Sequence, residues 1–312
     1  MNQSPIDLPK RKDAIKSPVK PVFNYDVVEA VTTDHTPDGQ VRTTNHLKIE
    51  NKDHSIQINH ENMGNLVTLD GAVYQAQKII FHTPAEHTIN EKKYDMEMQI
   101  IHYGQTKGDI AKQVSLSFLF QKTPGVYNKF LDDLDFFSLP NPLGTKERAI
   151  EANLYIPKIF YESEDTDIPI MNDFSFYSYD GSLTSPPCTE RTIVYVAEEP
   201  IPIGSTALAL FEEALRIPDM MSSKGDVIVS DVLPINNRNT QPLNGRNVFF
   251  YQGENNFKIK APEKEYKPDG HYEKVPKITR NFYYVNNDQP SGMPGAVVVS
   301  KLEATAGDSN WN

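Results

Sequence analysis

Short runs in which apolar and polar residues alternate recur along this chain, separated by clusters of turn-forming residues. HLKIE (46–50), HSIQINH (54–60), LVTLDG (66–71), KIIFH (78–82), EMQIIHY (97–103), VSLSFLF (114–120) and RTIVYVA (191–197) share this form. Period-two alternation rich in β-branched and aromatic residues predicts strands. The fold class expected is therefore mainly β (α+β), a largely antiparallel central sheet of roughly ten strands with a few short peripheral helices. Helical periodicity is confined to GVYNKFLDDLDFF (125–137) and STALALFEEALR (205–216). The second opens on Ser205, a residue type that caps helices, and sets Leu208, Phe211 and Leu215 on one face.

The pattern changes near Gln252. Residues 252–312 carry five prolines and seven aromatics, three of them consecutive at Phe282, Tyr283 and Tyr284, with neither helical nor strand periodicity. Such a stretch buries too little apolar surface to order by itself. The organisation expected is a domain over 1–251 and an extended tail over 252–312. The tail should lie on the domain's flank or on a protein partner, with Phe282, Tyr283 and Tyr284 as anchors.

Charge narrows the partners. Lysine plus arginine against aspartate plus glutamate gives 31 − 42 = −11, a balance that repels phosphate and sulfate polymers. Nucleic acid and glycosaminoglycan are thus not expected partners. No run of apolar residues is long enough to span a membrane, and MNQSPIDLPKRKDAIK lacks the apolar centre of a signal peptide. Cys188 is the single cysteine, so no internal disulfide forms, which favours a soluble, intracellular setting, including the inside of an organelle.

Four stretches carry candidate chemistry: QSPIDL (3–8), FHTPAEHTINEKKYDMEMQIIH (81–102), YDGSLTSPPCTE (179–190) and QPLNGRNV (241–248). In this order they resemble the α-carbonic anhydrases, over about residues 3–251. The resemblance implies a twisted, largely antiparallel central sheet holding zinc through three histidines. Two lie two apart on one strand and the third on its neighbour. Residues i and i+2 of a strand face the same way, so this spacing lets imidazoles share one metal.

Placed on that pattern, His82 takes the second ligand position, but the first falls on Ile80 and the third on Gln99. Sliding the strand would lose the match at Thr83-Pro84 and Glu86-His87-Thr88. His102 cannot stand in for Gln99, since three residues on it faces the other side. The resemblance therefore implies a zinc site with two of three ligands gone, and no cofactor is expected. Family-equivalent remnants persist: Thr184 at the threonine that orients the metal-bound hydroxide, Glu86 at the acid that accepts its hydrogen bond, and His54 near the proton-shuttle histidine. Glu97 falls on the acid behind the third ligand. Ile101 and Leu183 fit the apolar pocket, whereas Val194 replaces a pocket tryptophan. Without a metal hydroxide, these residues read as structural.

The function expected is a carbonic-anhydrase-like pseudoenzyme, not an enzyme, serving as a structural or protein-binding accessory subunit of a larger assembly. The alternative is an active zinc lyase that hydrates carbon dioxide to bicarbonate through an atypical metal site. A third reading makes the emptied pocket between Ile80, Gln99, Thr184 and Ile101 a small-molecule site.

Overall fold

The computed structural model describes residues 1–253 apart from 18–19, 37–38, 53–54, 69–70, 105–112, 127, 141–144, 161–173, 216–217, 222–226 and 230–234. His54 and the tail anchors Phe282, Tyr283 and Tyr284 lie outside the described residues.

Twelve strands matter to the argument. They are β1 (Ile15–Lys16), β2 (Val31–His35), β3 (Val41–Asn45), β4 (Lys48–Asn51), β5 (Ile56–Asn59) and β6 (Val73–His82). They continue as β7 (Met96–Gly104), β8 (Gln113–Lys122), β9 (Glu147–Ala149), β10 (Phe176–Ser182), β11 (Glu190–Ala197) and β12 (Phe249–Tyr251). The main sheet has 13 strands, ten of them in the continuous order β9-β4-β5-β6-β7-β8-β11-β10-β12-β1. Two junctions in that order are parallel, β8 with β11 and β12 with β1. The rest are antiparallel. A mainly β fold around one largely antiparallel, twisted sheet is thus what the alternation predicts.

Each face of the sheet is covered. On one, Ile79 and Phe81 of β6, Met98 and Ile100 of β7, and Leu116 and Phe118 of β8 form the large core. The helix α2 (Ser205–Ala214) lays Leu208 and Phe211 on it, and Phe211 stacks on Phe136 at 5.6 Å between ring centres. A phenylalanine buried to 0% exposure, as Phe211 is, contributes about 1.5–3 kcal/mol. The opposite face holds a smaller cluster in which Leu119, Tyr177, Tyr179 and Val194 pack under Ile6 and Leu8 of the N-terminal segment. Beside it lies a buried polar patch that includes His82, Glu86, Glu97 and Gln99.

Two expectations about helices need correction. Ser205 is not the cap of α2: Gly204 occupies that position, and no side chain bonds to the free helix N–H groups there. The 125–137 stretch is not one helix either. It forms the short α1 (Lys129–Asp133), capped by the Asn128 side chain accepting from the Leu131 N–H, and then a 3-10 turn at Phe136–Ser138. Asp135 separates them at φ 58°, a left-handed backbone that a continuous helix cannot contain.

Candidate functional site

Strand register decides which side chains meet. In the β6–β7 pair, His82 stands opposite Glu97, Ile80 opposite Gln99 and Lys78 opposite Ile101. On the far side of β7, Gln99 faces Ser117 of β8. Directly paired residues share a face, so Ile80, His82 and Gln99 do converge, as the motif spacing requires. All are buried, at 8%, 3% and 2% exposure. Ile101 and Thr184 are buried beside them, and Leu183 is half-buried at the rim.

Gln99 is committed at both ends. Its Nε2 donates to Glu86 Oε2 at 2.8 Å and to Glu97 Oε1 at 3.0 Å, while its Oε1 accepts from Thr184 Oγ1 at 3.2 Å. Carboxylates only accept, so the amide nitrogen must be the atom turned to the two acids. One carboxamide therefore joins β7, the loop after β6 and the loop after β10. The Thr184 hydroxyl proton goes to this amide rather than to Glu86.

His82 is held from behind. Its Nδ1 donates to the Asn236 carbonyl at 3.2 Å and lies 3.5 Å from Glu86 Oε1. Its Nε2 is buried and has no hydrogen-bond partner. Neutral, that atom is a lone pair facing no donor; charged, it is an N–H facing no acceptor. Either way it is buried without a partner, at a cost of about 1–3 kcal/mol. Zinc sites use three or four nitrogen, sulfur or oxygen donors. Here Nε2 of His82 is uncommitted, Ile80 offers no donor, and the Gln99 amide is fully engaged. The residues present do not fit that metal.

Glu97 anchors the floor. Its Oε2 accepts the backbone N–H groups of Glu86 and His87, and its Oε1 pairs with His87 Nδ1 at 2.7 Å. The far nitrogen of His87 meets the Tyr179 hydroxyl at 2.7 Å, which donates to Ser4 Oγ. Burial alone would raise the Glu97 carboxyl, but the charge and hydrogen bonds of His87 outweigh it and hold it down at about 2. A depressed folded pKa stabilises the fold above the unfolded value near 4.5 and is lost as pH falls towards 2. The stability gap between the parent chain and Glu97→Gln should thus shrink by on the order of 3 kcal/mol over that window. Denaturant titrations at several pH values measure it, and a gap constant with pH would contradict it.

His102, on the other face, is a core residue. Its Nδ1 donates to the Val114 carbonyl at 3.2 Å and its Nε2 accepts from Tyr25 at 2.7 Å. Burial pushes this imidazole down to about 4. Cys188 is free and half-buried, with Sγ 3.7 Å from the Thr184 carbonyl.

Sequence reasoning missed two contributors. Asn236 donates from its amide to the Phe81 carbonyl and accepts from the Thr83 N–H, besides holding His82 through its backbone. Arg238 gives its backbone N–H to Glu86 Oε1 at 2.8 Å and its guanidinium to Gln3 and Ser4. Both sit in an irregular segment, so no periodicity marks them.

Comparison with known proteins bears on the fold and the family. Over 211 residues the chain is 30% identical to alpha carbonic anhydrase 8 of Arabidopsis thaliana, an alignment covering 65% of this chain and 45% of that protein. Against a carbonic anhydrase of Klebsiella pneumoniae, identity is 26%, covering 79% and 78%. Among solved structures, the α-carbonic anhydrase of Thermovibrio ammonificans, in complex with the inhibitor sulfanilamide, superposes with a TM-score of 0.57 at 27% identity, covering 80% and 86%. The eukaryotic-type carbonic anhydrase family matches residues 1–252. The chain belongs to that family.

Proposed function

We propose that this protein is a carbonic anhydrase homologue that has lost its catalytic zinc and serves as a protein-binding accessory subunit of a larger assembly. One observation carries the reading: the two absent donors are replaced by an alkyl group, Ile80, and by an amide, Gln99, already bonded at both ends. No catalytic step is assigned to a metal-bound hydroxide, because the residues do not fit the metal that would supply it. Thr184 and Glu86 then keep a structural role as partners of Gln99. Elemental analysis of the dialysed chain, with a carbon dioxide hydration assay, tests the reading. About one zinc per chain, as a working site would hold, or hydration above the uncatalysed rate would favour the alternative lyase and overturn it.

The assembly part of the proposal concerns residues 252–312. With an acidic balance of −11 and no helix among the described residues long and apolar enough to cross a membrane, the partner is taken to be protein. Phe282, Tyr283 and Tyr284 are rigid aromatic anchors of the kind that dominate interfaces. Deleting 252–312 should leave a folded domain whose melting temperature stays within a few degrees of the parent, but which no longer co-purifies with its assembly. A truncated chain that unfolds, or an intact chain that recovers no assembly, would defeat this.

A further inference from the structure

Among the described residues, the strands β2 and β3 pair only with each other, as a hairpin outside the main sheet. Val31 at its root packs against the core, but all five residues of β3 are exposed, Val41 to 60%. A two-stranded hairpin packed only at its root is marginal in water, and the open edge of an exposed strand is a template for pairing with another chain.

At the root of this hairpin opens a groove of about 370 Å³, a size that suits a ligand or a long side chain. Val27 and Val28 line it together with Asp26, Glu29, His46 and His60. The histidines are held in place by Thr32 Oγ1 on His46 Nε2 at 2.8 Å and by the Asn62 carbonyl on His60 Nδ1 at 2.8 Å. Asp26 and Glu29 have no cation within ion-pair distance among the described residues. Groove and hairpin are continuous, since Thr32 of β2 also lines the groove.

We infer that the hairpin and groove form a docking surface for an extended, basic segment of another protein, paired along the edge of β3 with a lysine or arginine side chain lying in the groove. Apolar valines take the aliphatic stem and the two carboxylates take the charge. The acidity of the whole chain favours the same partner by long-range attraction. Main-chain pairing supplies affinity while the groove supplies specificity.

This inference rests on the protein-binding reading above but uses a different surface from the tail. Its test titrates the full chain with a short capped peptide alternating valine and arginine, followed by amide NMR, with the glutamate version as control. Saturable shifts at Val41–Asn45 and Asp26–Glu29 are expected with the basic peptide alone. Asp26→Lys with Glu29→Lys should weaken binding about tenfold or more, and the milder Asp26→Asn with Glu29→Gln less so. Unchanged affinity in both variants, or shifts spread over other acidic surface, would overturn it. So would hairpin shifts produced by deleting 252–312 or by diluting the protein, which would name the chain's own tail or a second copy as the occupant. If the charge-reversed chain still co-purifies with the assembly while the tail deletion does not, this surface is refuted and the accessory-subunit reading stands.

Discussion

Changing Ile80 and Gln99 together to histidine is expected to give a chain that retains about one zinc ion through dialysis where the parent retains none. Positions 80 and 99 are directly opposed in the β6–β7 ladder, where neighbouring strands lie about 4.8 Å apart. His82 is two residues along from position 80 on the same face, its Nδ1 already fixed by the Asn236 carbonyl. That bond leaves Nε2 turned away from the carbonyl, and an orienting partner on the other nitrogen is what a metal-bound imidazole has.

The double variant carries a cost, because Gln99→His dissolves the amide bridge to Glu86, Glu97 and Thr184. Its metal-free form should melt below the parent, and zinc should restore the loss by mass action. Ile80→His alone supplies two imidazoles and should bind more weakly. Elemental analysis with and without chelator, alongside melting curves, reads all three chains. A double variant that folds and takes up no zinc would mean that the three positions do not converge as the ladder places them.

The alternation along the chain makes the strands legible because burial on a sheet face follows a period of two. At β7 and β8 both faces are covered, so burial runs nearly unbroken along EMQIIHY and VSLSFLF even though their sequences alternate apolar with polar residues. Strand order is another matter. The parallel contact of β8 with β11 joins distant segments, and no local pattern encodes it. At the site, motif spacing puts Ile80, His82 and Gln99 on one face, and the β6–β7 pairing has the same register. What spacing could not convey is that Gln99 spends both ends of its amide, or that Asn236 and Arg238 reach in from an irregular segment. Those are facts about where side-chain atoms point after the chain has closed on itself. The missed cap at Gly204 has a smaller cause: serine at the first helical position and serine at the cap differ by one residue, within the usual uncertainty of a helix boundary.

The role of that amide makes the last prediction. Glu86 and Glu97 are buried to 3% and 0% exposure and share one NH₂ group between them. In Gln99→Leu both acids lose that donor and the Thr184 hydroxyl loses its acceptor. Leaving buried acceptors and a buried hydroxyl without their partner in this way costs about 1–3 kcal/mol, or roughly 5 °C of melting temperature for a chain of this size. Gln99→Glu should be worse, because it adds a third carboxyl where two are already close. Burial and like charge raise the folded pKa of that new group above its unfolded value near 4.3. A raised acid gives stability that is fully present below the unfolded pKa and lost as pH rises through the folded one. The deficit of Gln99→Glu against the parent should therefore be smallest in acid and grow towards neutral pH, where the parent is expected to melt at the same temperature with and without chelator. Melting curves of the three chains across pH check this. If both variants match the parent throughout, the amide holds nothing together, and Gln99 gives the fold nothing that leucine or glutamate at the same place does not.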